Sequence, residues 1–379
     1  MKKYHAIVIH ALAAAIFLFG LASGFSVAVR KPLWNDEIYS QVANIDGLSM
    51  SAIWRGGVQE GNNAPLFYAL QKGLCSLLHY SAGDLWHKQP FEARIILRIL
   101  PVMFMALGLA ISFWAFARMY SIAIGAVAFL AALSTYLVWG YIAEARPYAM
   151  VFFGSVLQAA VLLRALRSKD TARGWGPVAA AHLFLAVTSP LSVIQVTSAG
   201  VALWGFGYRR LWPLLAMIAL PLAVGLGYHQ LYREHYHFYF ASYGQPLELV
   251  KAAIPEGRLQ FLIVLPFVLW AWARRSGEKV GMNVWLFLGW AWLTILGYGV
   301  LLGYLWLHRN DPAAGATFEV PNRYMMALAG VSSAAMAVLC AELVQRPKVV
   351  WLRVIVWSGI LVLILPRVVK VFRWAATLN

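Results

Sequence analysis

Three short groups of residues have the types and spacing to do chemistry. The first is Trp34-Asn35-Asp36-Glu37, a pair of carboxylates just beyond an apolar run. Carboxylates so close to a hydrocarbon boundary are costly unless they have partners or a task. One such task is taking a proton from an acceptor hydroxyl or amine as a new bond forms. A helix start is a competing account, with Asn35 or Asp36 capping an interfacial helix over about 37–53 and the acids favoured by its dipole. The second group is the turn Tyr141-Ile142-Ala143-Glu144-Ala145-Arg146-Pro147-Tyr148 between two apolar runs. Glu144 and Arg146 there make either a structural ion pair or a substrate contact, and the planar, two-pronged Arg146 suits a phosphate. The third is Pro321-Asn322-Arg323-Tyr324, again an arginine and a tyrosine before a long apolar run. Snorkelling and an aromatic belt explain either Arg-Tyr pair alone. Together, opposite a carboxylate pair, they read as a base facing cationic clamps that stabilise a departing phosphate.

Other polar groups are less telling. His229, His235 and His237 invite a metal reading, but no acidic or cysteine ligand stands at a recognisable spacing from them. An amphipathic loop helix in the headgroup region is the better reading. No metal ligand set is assigned, no cofactor is called for, and assistance by a divalent cation is left open. Asp84, Glu92, Arg94 and Arg98 gather near the start of a helix as structural or entry-lining groups. Cys75 and Cys340 sit in apolar segments and fit neither a disulfide framework nor a metal site.

The elements that must hold these residues are set by composition. Of 379 residues 61% are hydrophobic and 12% charged, and the mean hydropathy is +0.68; an ordinary water-soluble domain is excluded. Apolar runs near the roughly 20 residues a spanning helix needs recur throughout, so one membrane domain fills 1–379, with no soluble C-terminal domain. The net charge of +16 lies in short loops between these runs rather than in one stripe. That is the pattern of topology, not of nucleic-acid binding.

The predicted fold is an all-α polytopic membrane protein with about 11 transmembrane helices and interfacial helices in the first outer loop. The spans are 6–29, 95–116, 121–141, 148–163, 177–188, 191–206, 211–228, one between 257 and 274, 284–306, 324–343 and 349–365. The run 65–79 is half-inserted or interfacial. Arg164, Arg167, Lys169 and Arg173 mark a cytoplasmic loop. Counting from it puts the N-terminus inside, and loops 30–62 and 229–257 and the C-terminus outside. Only Asp170, Glu278 and Glu342 of the 15 acidic residues then fall on the cytoplasmic side.

In order and pattern the chain resembles the membrane-embedded GT-C glycosyltransferases, in the branch of protein O-mannosyltransferases and aminoarabinose-lipid A transferases. The resemblance rests on Asp36-Glu37 with Tyr39, on Asn63-Ala64-Pro65-Leu66-Phe67-Tyr68 where the family has a His-Pro-Pro-Leu-Tyr-Tyr-like segment, and on Arg98 or Arg94 heading a helix. It extends to the Tyr141–Tyr148 turn and to Arg323-Tyr324, covering roughly 1–170 closely and the rest by topology. Asn63-Ala64 departs from the family's His-Pro. The resemblance implies an inverting transfer of a sugar from a polyprenyl-phosphate donor at the outer face of a bacterial inner membrane. Asp36 is then the base or acceptor-positioning group, supported by Glu37. Glu144, Arg146, Tyr148, Arg323, Tyr324, Asn63 and Arg98 are the donor-phosphate and substrate contacts. The implied partners are the lipid-linked donor, a lipid, glycan or protein acceptor, and membrane lipids. A flippase or transporter of lipid-linked sugars would instead show paired half-repeats and ionisable groups near the midplane; a polymerase or ligase would also use outer arginines.

Overall fold

The computed structural model of the chain describes residues 2–58, 64–168, 174–205, 210–233, 246–277, 279–307, 322–344 and 350–377. Every regular element among them is helical. Helix α1 (Lys2–Arg30) runs alongside a long, bent rod made of α5 (Phe91–Ile96) and α6 (Ile99–Met119). Between α1 and α5 lie α2 (Asn35–Tyr39), a wide-turn helix at Ser40–Asp46, α3 (Met50–Trp54) and α4 (Pro65–Leu77). Beyond α6 come α7 (Ile122–Leu133), α8 (Tyr136–Gly140), α9 (Tyr148–Arg167), α10 (Trp175–Ala186), α11 (Ser192–Gly205) and α12 (Leu211–Leu214). A second wide-turn segment, Leu215–Ala219, leads into α13 (Leu220–Arg233). Then follow α14 (Pro246–Ala253), α15 (Glu256–Ser276), α16 (Met282–Leu307), a short 3-10 turn at Asn322–Met325, α17 (Met326–Val344), α18 (Val350–Leu363) and α19 (Leu365–Ala376).

The centre of the molecule is α17 packed on α7 and α9, with α6 behind them. Small residues make this possible, because apolar helices in lipid associate through close van der Waals contact rather than through exclusion of water. Helix α17 reads MALAGVSSAAMAVLCAELV, and nearly all of it is buried. A β-carbon at Gly330 would stand 3.0 Å from the Ser155 Cβ of α9. On the other flank a β-carbon at Gly20 of α1 would meet the Ala106 Cα of α6 at 2.8 Å.

Among the described residues, five helices are long and apolar enough to cross a membrane: Tyr4–Arg30, Phe91–Met119, Tyr148–Arg167, Met282–Tyr304 and Arg323–Val344. Ile122–Leu133, Trp175–Ala186, Ser192–Gly205 and Trp212–Tyr228 are apolar but shorter. The expected count of about eleven full spans therefore does not follow from helix length. The single span expected over 121–141 is replaced by α7 and α8, broken at Ser134-Thr135. At 1.5 Å per residue the 12 residues of α7 reach about 18 Å, well short of the roughly 30 Å hydrocarbon core. The run 211–228 is unbroken helix with a wide turn at Leu215–Ala219, short for a full span, and the run 349–365 is met by α18, which ends at Leu363. Helix then resumes as α19, with Pro366 in the first turn, where its missing N–H costs nothing. The interfacial helix expected over 37–53 is three pieces, and Trp34, not Asn35 or Asp36, precedes its first turn. The half-inserted reading of 65–79 corresponds to the 13-residue α4, buried on one face.

Candidate functional site

One end of α1, the start of α2, the α8–α9 turn and the start of α17 meet at a single mouth. What ties them is Glu37. Its Oε1 accepts from Arg98 Nε at 2.9 Å and from the Ala145 backbone N–H at 2.7 Å. Its Oε2 accepts from Arg98 Nη2 at 2.6 Å and from the Trp34 N–H at 2.9 Å. Both side chains of this pair are fully buried. Arg98 sits in the break between α5 and α6, and its remaining N–H groups go to the last carbonyls of α1 and the residues after it. Nη1 donates to Ala28 O at 3.0 Å and Lys31 O at 2.5 Å, and Nη2 to Pro32 O at 2.8 Å. A guanidinium has five N–H donors, and all five are spent within the protein. A cation there also suits the negative end of α1. Neither Arg98 nor Glu37 therefore presents a free side-chain polar atom to the mouth.

Asp36, one residue away, is placed differently. Its Oδ2 lies 2.5 Å from Arg146 Nη1 and 2.8 Å from Arg323 Nη2, while its side chain is 38% exposed. One carboxylate therefore joins the second and third sequence groups and still opens to the outside. Glu144 lies beneath, its side chain 1% exposed, with Oε1 3.9 Å from Arg323 Nη1. Neither of its oxygens accepts a hydrogen bond. Burial and the neighbouring Glu37 push its carboxyl up to about 7, against the pull of Arg146, Arg323 and Lys31.

Aromatic rings line the cations. The Arg323 guanidinium carbon stands 5.3 Å from the Trp34 ring centre, 5.6 Å from Tyr148 and 5.9 Å from Tyr324, and that of Arg146 5.4 Å from Tyr148. The Tyr148 hydroxyl and Arg323 Nε are buried and without a hydrogen-bond partner. Buried polar atoms are nearly always satisfied, so several orphans side by side mark this cluster as unusual.

Of the residues expected to act, Asp36, Glu144, Arg146, Tyr148, Arg323 and Tyr324 are brought together here, with Glu37 and Arg98 directly behind. Asn63, His235 and His237 lie outside the described residues. Asp84 pairs with His87 on the surface, and Glu92 is exposed in the first turn of α5. Among the described residues no three His, Cys, Asp or Glu side chains gather as metal ligands.

Two residues were given no role from sequence. Trp34 stood within a quoted motif, and only the packing places its ring beside Arg323. Arg258 of α15 is buried and donates to Ser332 and Ser333 of α17 at 2.9 and 3.2 Å, to Ser134 at 2.6 Å and Thr135 at 3.0 Å, and to Ala131 O. Arg367 of α19 adds a bond from Nε to Ser134 O at 3.3 Å. The two cations cap the interrupted C-terminus of α7, directly before the α8–α9 turn. The available signal was a lone arginine ahead of a long apolar run, the kind of residue that needs an internal partner.

No protein-family model matches the chain. No curated protein matches it either. Among solved structures, the crystal structure of the Archaeoglobus fulgidus oligosaccharyltransferase in complex with Zn and sulfate is similar over 95% of this chain, at a TM-score of 0.47 and 10% sequence identity. The match covers 53% of that protein, so this chain spans about half its length. A likeness at that level fixes neither fold nor function.

Proposed function

We propose that the chain is a membrane-embedded, inverting glycosyltransferase that moves a sugar from a polyprenyl-phosphate donor to an acceptor at the outer face of a bacterial inner membrane. The observation that supports this reading is the single mouth at which an exposed carboxylate, Asp36, meets two arginines, Arg146 and Arg323. The motif order in the sequence points the same way.

In this reading the donor's phosphate takes the Arg146 and Arg323 donors that Asp36 holds in the free site. Asp36, released from both, receives the proton of the acceptor hydroxyl or amine as that atom attacks the anomeric carbon. The bond from this carbon to the phosphate oxygen breaks with its electron pair going to the phosphate, whose new charge the two guanidiniums stabilise. Products are the glycosylated acceptor and free polyprenyl phosphate, with the proton on Asp36. The donor lipid, the inversion and the orientation in the membrane belong to this proposal, and the sugar and acceptor are not specified by it.

The test is Asp36→Asn with radiolabelled polyprenyl-phosphate sugar and candidate acceptors. The expected outcome is loss of label transfer, on the order of 10²-fold or more for a general base, with unchanged size-exclusion behaviour in detergent. Full activity of the variant would remove the base. Transport of intact donor by the native protein, without release of polyprenyl phosphate, would favour a flippase.

A further inference from the structure

Building on that reading, we infer that Glu144 takes up a proton when the donor's phosphate binds, serving as the adjustable counter-charge of the Arg146–Arg323 pocket. The geometry leaves it little else to do. The Glu144 carboxylate is enclosed, accepts no hydrogen bond and stands 3.9 Å from Arg323 Nη1, too far for one. Asp36 instead holds one terminal nitrogen of each arginine, Arg146 Nη1 and Arg323 Nη2. A buried anion at the back of a phosphate site would repel the ligand unless it can be discharged.

The charged neighbours of Glu144 among the described residues come from three elements and the segments beside them. From α2, Glu37, paired with Arg98, raises its proton affinity, and Asp36 reaches it through the shared arginines. Lys31, after α1, and Arg146, in the same turn, lower its proton affinity, as does Arg323 from the start of α17. Tyr141, Tyr148 and Tyr324 complete the shell around the two arginines. Adding a phosphate to this set adds a negative charge beside a buried carboxylate, and that raises the carboxylate's proton affinity. Glu144 already holds its proton up to about 7 in the free site, so near neutral pH part of the population is ionised and able to receive one.

The sign of the linkage follows. Below about pH 7 Glu144 is protonated with or without ligand, and affinity is constant. Above it, binding must draw a proton from solvent, and affinity falls as pH rises, by up to about tenfold per pH unit. The test uses the full chain in detergent and farnesyl methyl phosphate, a diester whose single charge does not titrate in this range. Titration calorimetry at pH 7.5 in two buffers of different ionisation enthalpy should give a net uptake of up to about one proton. The dissociation constant should weaken by up to about tenfold between pH 6 and pH 8. Glu144→Gln should bind the diester with no uptake and a flat pH profile. Binding without uptake by the native protein, or the same uptake in Glu144→Gln, overturns the inference and leaves the transferase reading standing. Failure of the native protein to bind the diester overturns both.

Discussion

At the residue scale, adjacent carboxylates have opposite fates. Glu37 is buried and spends both oxygens on Arg98, Trp34 and Ala145, whereas Asp36 points to the opening and is shared by Arg146 and Arg323. They leave a helical turn about 100° apart, so one faces inward and the other outward. Substitutions should separate stability from activity accordingly. Removing one partner of a buried ion pair typically costs about 3–5 kcal/mol, because the other is left charged and dry. Arg98→Ala should therefore lower the detergent melting temperature sharply and reduce insertion. Asp36→Asn, which retains a partly exposed polar group, should leave melting nearly unchanged. Equal melting losses in the two variants would contradict this division of labour.

At the scale of elements, the broken helices carry the design. The break at Ser134-Thr135 lets the chain turn through α8 into the segment that presents Glu144 and Arg146, and it leaves the last carbonyls of α7 without helical partners. Arg258 and Arg367 supply donors there. Arg258→Met keeps an unbranched apolar stem but removes five bonds, so the turn should lose its fixed position. The expected result is weaker donor binding together with slower transfer and a lower melting temperature. Arg258→Lys should recover part of the stability, since an ammonium can reach some of the same oxygens but lacks the fork. A variant Arg258→Met with native kinetics would show that the break is held by packing alone.

At the scale of the molecule, the charge pattern predicts an orientation. Arg164 and Arg167 at the end of α9 mark one side and the Asp36 mouth the other, since the Tyr148 end of the same 20-residue helix adjoins that mouth. In a background lacking Cys75 and Cys340, both buried, an impermeant thiol reagent applied from outside should label Trp86→Cys and spare Arg118→Cys. The reverse pattern would turn the site toward the cytoplasm and exclude the proposed donor chemistry there.

The sequence by itself determined the solvent and the places where polarity had to be explained. A composition this apolar forces internally hydrogen-bonded backbone, and charged residues at the ends of apolar runs are conspicuous because they are costly. Asp36, Glu144, Arg146 and Arg323 could all be singled out in this way. Tertiary structure alone decided which of them share a bond, because residues more than 100 positions apart meet only through packing. It also decided that Arg98 is spent inward, that the run over 121–141 is interrupted, and that Arg258 donates to the residues at that break. Hydropathy sums over a window and cannot register a helix end whose carbonyls are capped by a side chain from a distant element.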